Sequence, residues 1–400
     1  MFSTLRISSI LGLLLGCALS LFPVQNSWAE NNTGPIDNPI GGVTADVLPT
    51  AQVNGVVWDQ AIVGNTVYVA GEFSSARPAG AELGEQEVHR NNLMSYNLIT
   101  GEMTNWTPTV NGRIRAISAS PDGKRIYIGG SFNWVNGQPR SRLAAFDTKN
   151  GELVKDFSPA VGSDVLAIAA TNDKVYLGGW FTSINGVPRQ RLAALSASGE
   201  ILSWGPSANY PVRALAISEN KDRIIVAGGF TELNGESSQA IGLLDAVTGT
   251  SYPFAASGIF TNHGVDAGLG SLKIFGNQVI TTGYAAGRGD FEGVASIDIS
   301  TGRIDNLIDC QGNAHDATVL NNIIYVVSNS NYCAHTGNRT KKDIGYQTSA
   351  FTLKPLTKIA KREKGKYHNW EGYPTGAIVN WWNDFQSGYA SGKTGWTVES

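Results

Sequence analysis

One apolar segment recurs along this chain at near-regular spacing, and that recurrence restricts the fold more than any other feature. VYVAGEF (67–73), IYIGGSF (126–132), VYLGGWF (175–181) and IIVAGGF (224–230) end in phenylalanines 59, 49 and 49 residues apart. Weaker copies follow at 279–285 and 324–330, giving six between Val56 and Ser330. A period near 50 residues means that one supersecondary unit is stacked against copies of itself.

Within each strong copy the signals describe a four-stranded sheet. An alternating strand such as 114–118 passes through a turn such as Ser120-Pro121-Asp122-Gly123 into the apolar strand that carries the paired small residues. Asn136-Gly137, Asn185-Gly186 and Asn234-Gly235 then supply a hairpin, because Asn-Gly accepts the positive φ angles of a tight turn. The third strand is RLAAFD (142–147), RLAALS (191–196) or IGLLDA (241–246). It closes on an Asx-to-glycine turn, as in Asp147 with Gly151, Asp245 with Gly249, Asp298 with Gly302 and Asn97 with Gly101. A fourth strand ends in Trp106, Phe157 or Trp204, one large ring per repeat where adjoining sheets would pack. Four short strands per unit, 47 glycines and no helical periodicity indicate an all-β propeller of four-stranded blades. The start near Leu48-Pro49 reads as the end of a repeat and Trp396-Thr397-Val398 as the beginning of one. The two ends would then share a blade, so seven blades are expected, the last incomplete in this chain, with six as the alternative.

The first 29 residues have the form of an export signal: Arg6, an apolar core from Ile10 to Leu21, and Ser27-Trp28-Ala29 for cleavage. Leu14-Leu15-Gly16 before Cys17 would also suit lipid attachment, but the residues after this cysteine stay apolar. The expected organisation is signal peptide 1–29, linker 30–45 and propeller 46–400, secreted or held at the cell envelope. Cys310 and Cys333 then remain, and in an exported protein they are expected to form a disulfide, with paired buried thiols as the alternative. A net charge of −3 argues against nucleic acid as a partner. The basic run Lys354, Lys358, Lys361, Arg362, Lys364 and Lys366 reads as a solvated edge, or as a dock for an anionic wall polymer.

The stretch 136–195, NGQPRSRLAAFDTKNGELVKDFSPAVGSDVLAIAATNDKVYLGGWFTSINGVPRQRLAAL, resembles the delta-60 type of β-propeller repeat of secreted bacterial proteins. The likeness extends less clearly over 56–331, including DCQGNAHD (309–316). It implies a propeller and export, and no particular chemistry. The paired glycines followed by aromatics are more loosely similar to kelch repeats. The turns at Asp245–Gly249 and Asp298–Gly302 are similar to part of the repeat of quinoprotein dehydrogenases, but the adjacent cysteines of many such enzymes are missing.

Aligning the copies stacks Trp58, Arg115, Leu166, Arg213, Gly270 and His315 in one column near the start of the innermost strands. By analogy with other propellers, Trp58, Arg115, Arg213, His315 and Asp316 are candidate ligand residues at the central channel, suited to an acidic or sugar-like ligand. The alternative is purely structural: arginines tied to nearby carboxylates, and a packed tryptophan. His263, His315, His335 and His368 lie in the irregular later part with Asp266, Asp290, Glu292, Asp309 and Asp316. No metal-ligand spacing, serine elbow or phosphate loop is recognisable. No cofactor is expected, though calcium remains open. Arg140 with Arg142 and Arg189 with Arg191 repeat at one spacing and are expected to bond carboxylates or carbonyls between blades. The leading expectation is a binding or interaction module for wall glycan, an anionic envelope polymer or an exported protein. The alternative is an enzyme acting on a carbohydrate or small alcohol, centred on His315, Asp316 and the arginines.

Overall fold

The computed structural model describes residues 36–37, 50–261, 266–285, 291–330, 333, 336, 346–359, 369–381, 387–388 and 397–398. The export signal and most of the linker lie outside the described residues, as do His263, Asp290, His335, His368, Lys361, Arg362, Lys364, Lys366 and Trp396.

Six antiparallel sheets follow one another along the chain. Their innermost strands are Val56–Val63, Ile114–Ala119, Val165–Ala170, Val212–Ile217, Ala267–Phe275 and Ala314–Leu320, each packed against the next. From each inner strand the chain steps outward through a hydrogen-bonded second strand to a third, as in 114–119, Arg125–Gly130 and Leu143–Asp147. This is the radial order of a propeller blade. Among the described residues a fourth strand is hydrogen-bonded to the third in the fourth and fifth sheets, the two-residue Ser251–Tyr252 and the longer Ile304–Asp309. In the first three sheets it shrinks to single bridges, Tyr96 to Met103, Phe146 to Leu153 and Leu195 to Ile201. The only helical segment among the described residues is a short 3-10 turn, Ala255–Gly258.

The Asn-Gly turns do more than connect strands two and three. Each closes its own two-stranded hairpin, such as Trp134–Val135 with Gln138–Pro139, and Asn136 and Gly137 take φ of 48° and 72°. The Asn136 side chain also accepts the Thr109 N–H, and Asn185 and Asn234 do the same at Ala160 and Ser207. Each hairpin is thereby tied to the segment that leads into its own inner strand. The Asx-to-glycine turns follow the expected chemistry: Asp147 accepts the Lys149 and Asn150 N–H groups while Gly151 takes a φ of 72°.

The apolar core lies between sheets. Separate buried clusters join the first sheet to the second, the second to the third, and so on to the sixth. At the first three junctions a large ring from the end of the repeat wedges in: Trp106, Phe157 and Trp204. Trp106 meets Tyr68 and Phe146 edge-on at 5.2 and 5.1 Å and donates its indole N–H to the Gly151 carbonyl of the next repeat. Trp204 does likewise to Asp245. At the other end of the series, Val379–Asn380 lies outside Tyr346–Thr352 and carries Ile36–Asp37 as a parallel neighbour, so the N-terminal stretch is strapped to the sixth sheet. Strand Thr397–Val398 pairs with Ser387–Gly388 and lies against the first inner strand. Cys310 and Cys333 form a disulfide, both residues buried. By the loop-entropy account, closing 23 residues contributes about 3 kcal/mol.

Each of the six inner strands carries a β-bulge at the same place, opposite the paired small residues of the second strand in the first four sheets and opposite Thr282-Gly283 and Val327-Ser328 in the last two. Register shifts fall between Val57 and Asp59, Ile114 and Ala116, Val165 and Ala167, Val212 and Ala214, Leu269 and Ser271, and Ala314 and Asp316. The second small residue explains why the bulge fits. A Cβ on Gly71, Gly130, Gly179 or Gly228 would sit 2.0 to 2.2 Å from a backbone carbonyl oxygen at the entry of the inner strand. These glycines serve close approach of two backbones. We predict that Gly179→Ala destabilises the protein by about 1–3 kcal/mol, the range for overpacking a tight site. Denaturant unfolding checks this, and an unchanged midpoint would refute the close-packed account.

Candidate functional site

The residue left over at each bulge is the column residue: Trp58, Arg115, Leu166, Arg213, Gly270 and His315. A bulge re-aims its extra side chain, and here six of them lie near the entry end of six adjacent inner strands. Convergence is visible in the electrostatics. Arg115 on the second sheet is acted on by Arg213 on the fourth, although the third stands between them.

The two arginines are held in the same way. The Arg115 guanidinium lies 4.1 Å from the Trp58 ring centroid, and that of Arg213 lies 5.1 Å from Tyr284. Burial lowers the Arg115 pKa; Arg113 and Arg213 lower it further, whereas Glu72 and Asp164 oppose them. Those carboxylates are engaged elsewhere: Glu72 lies 4.0 Å from Arg113, and Asp164 lies 3.8 Å from Arg142 and accepts the Ser131 hydroxyl. Among the described residues no carboxylate is within ion-pair distance of Arg115 or Arg213. Leu166 and Gly270 complete the column without polar side chains.

His315 and Asp316 stand on the sixth inner strand, but they do not form a working pair with one another. Asp316 is ion-paired with Lys273 at 3.6 Å. His315 is accessible from the channel, yet the protein around it disfavours the imidazolium and lowers its pKa. Lys273 and Asp59 belong to the same interior and were not singled out from sequence. Asp59 follows the bulged Trp58 and accepts the Ile117 N–H at 2.9 Å, bridging the first two inner strands, and also the Gln60 N–H. Its side chain keeps some exposure to the channel but is ringed by protein. Burial raises its pKa from 3.8 to about 6, Lys273 and the two N–H donors pulling it down and Asp316 pushing it up. The signal that could have found Asp59 is departure from the repeat: the equivalent positions are Ala116, Ala167, Ala214 and Ser271, and Asp316 of the sixth sheet is the other carboxylate there.

The other singled-out groups are structural. Arg142 donates to the Val161 carbonyl at the entry of the third sheet and lies beside Asp164, so it links neighbouring blades as expected. Arg140 departs from that expectation, because its carbonyl partners Pro139, Val154 and Lys155 belong to its own repeat; Arg189 bonds Pro188 and Leu202 likewise, and Arg191 bonds Trp180 and Phe181. Asp309 accepts the Trp370 indole N–H. Among the described residues no group of three His, Cys, Asp or Glu side chains could hold a metal ion.

Asp59 yields a pH prediction. Its carboxyl keeps a proton to higher pH when folded than when unfolded, so the native state binds more protons between about pH 4 and 6. This residue's contribution is therefore greatest at the acidic end and is lost as pH rises through about 6. Asp59→Asn should flatten that slope. Relative to the unmodified protein, its melting temperature should be higher at pH 7 than at pH 4, whatever constant offset the amide introduces, and parallel pH profiles would contradict the assignment.

Residues 120–153 and 171–201 match a family model described as a domain of unknown function (DUF5122) beta-propeller. No curated protein matches the chain significantly. Among solved structures, hydrazine synthase of Kuenenia stuttgartiensis superposes with a TM-score of 0.45 at 12% identity, covering 75% of this chain and 77% of that one. The structure of U3-55K gives 0.47 at 10% identity, covering 83% and 85%. At such identities the likeness concerns the fold alone.

Proposed function

We propose that this chain, whose residues 120–153 and 171–201 match a beta-propeller family model, is an exported binding propeller of the cell envelope that holds an anionic glycan at the mouth of its central channel. A propeller fold supports a general binding or interaction module, and the chemistry of the mouth narrows the ligand. The observation that carries the reading is the pair Arg115 and Arg213, each at a bulge, each resting on an aromatic face and neither within ion-pair distance of a described carboxylate. Guanidinium groups bond carboxylate or sulfate oxygens in a fork, and an aromatic ring beside them offers a face to a sugar.

Location is part of the proposal. The N-terminal 29 residues have the form of an export signal, and a disulfide between Cys310 and Cys333 suits an oxidising compartment. Among the described residues no helix is long and apolar enough to cross a membrane. An enzymatic reading gains no comparable support, because Asp316 is ion-paired with Lys273.

Calorimetric titration with glucuronate, polygalacturonate and neutral dextran tests the proposal. The acidic ligands should bind and dextran should not, with affinity falling as salt rises. Arg115→Ala and Arg213→Ala should each weaken binding by roughly tenfold or more, as expected for a hydrogen bond to a charged group worth about 1.5–3 kcal/mol. Equal affinity for dextran, or unchanged binding by both variants, would overturn the reading.

A further inference from the structure

A second set of rings adjoins the mouth. Trp180 follows the paired glycines of the third sheet, at a position occupied by Glu72, Ser131 and Gly229 in the neighbouring repeats. Tyr210 precedes the fourth inner strand. The two rings meet at 5.5 Å with an interplanar angle of 63°, and each is only partly buried. Arg191 lies 5.8 Å from the Trp180 ring centroid and donates to the Trp180 carbonyl, which holds the indole in place. Inward of this pair lies Tyr284 on the fifth sheet, also partly buried, beneath the Arg213 guanidinium. Tyr210 is near enough to act electrostatically on Tyr284. The rings thus form an arc over the third to fifth sheets that ends at one of the two mouth arginines.

We infer that this arc is a second subsite, in which Trp180 and Tyr210 take the sugar ring next to the acidic residue held by Arg115 and Arg213 while Tyr284 supports Arg213, so that the ligand is a chain of uronate-bearing sugars rather than a single acid. The inference rests on the anionic-glycan reading of the mouth and adds direction and length to it. Pyranose rings present a C–H face that packs on aromatic faces. Arc and arginines differ in what they recognise. The arginines require charge, whereas the rings require a neighbouring unit.

The test is a chain-length series with the full chain: galacturonate, its dimer, its trimer and its hexamer, each titrated at one salt concentration. Affinity should rise from monomer to trimer and then level. Trp180→Ala and Tyr210→Ala should weaken trimer binding about tenfold, the scale of one aromatic contact, and leave monomer binding unchanged. Trp180→Phe, which keeps a ring and guards against misfolding, should retain most of the trimer affinity. Equal affinity for monomer and trimer, or a Trp180→Ala loss that is the same for both, would overturn the subsite while leaving the mouth intact. Failure of every acidic ligand to bind the unmodified protein would remove both readings together.

Discussion

The contact between a glycine of the second strand and the carbonyl at the entry of the inner strand governs much of what this fold can do. With about 2 Å between that oxygen and a hypothetical Cβ, any side chain at Gly71, Gly130, Gly179 or Gly228 would force the two strands apart. Their close approach accommodates the bulge, and the bulge leaves one residue per blade outside the ladder. A regular strand would send that residue to one face of the blade, into the packing between sheets. Here it becomes free to vary, and the six positions hold an indole, two guanidiniums, a leucine, a glycine and an imidazole. The scaffold repeats at the glycine and diversifies at the bulge.

This explains which parts were legible beforehand. The glycine pairs, the Asx turns and the ring at the end of each repeat are local signals that recur, so spacing alone exposes them. The column Trp58 to His315 emerged from the same alignment, although nothing in one sequence announces a bulge. The cysteine pair was legible from its number and setting. Less legible were features in which distant repeats cooperate. Asp59 bonds the Ile117 amide and shares the channel interior with Lys273 and Asp316, so its environment is assembled from four inner strands. The strap of Ile36–Asp37 on Val379–Asn380 joins segments more than three hundred residues apart and has no repeating counterpart. The fourth strand is reduced in the first three sheets to a single bridge, such as Phe146 to Leu153, with a few backbone hydrogen bonds beside it, such as Val154 N–H to the Ala145 carbonyl and Asp147 N–H to the Glu152 carbonyl.

The Asn-Gly hairpins show how one motif can serve two levels. Asn136 supplies a positive φ for the turn and also an acceptor for the Thr109 N–H. The first role is local and predictable. The second ties the hairpin to the approach of the inner strand, and so fixes the rim on which the mouth is built. Two residues after the outer arginine of each pair, Arg142 and Arg191 take φ of 67° and 70°. Their side chains bond backbone carbonyls, while Ala240 holds the same conformation at the equivalent position, φ 60°, without such a bond.

The distribution of charge separates structural arginines from those at the mouth. Arg140, Arg142, Arg189 and Arg191 each donate to backbone carbonyls, and Arg113 and Arg303 have carboxylates within 4.0 Å. Arg115 and Arg213 have aromatic faces instead. A cation resting on a ring gains about 0.5–2 kcal/mol, whereas removing a charged group from water without a counter-charge costs several kcal/mol. Compensation is therefore partial, and the downward direction of the Arg115 pKa is the trace of what remains. Arg213 adds to the repulsion at Arg115, which an incoming anion would offset by supplying a counter-charge. On the proposed function, a carboxylate would gain more at Arg115 and Arg213 than at arginines already bonded to backbone carbonyls.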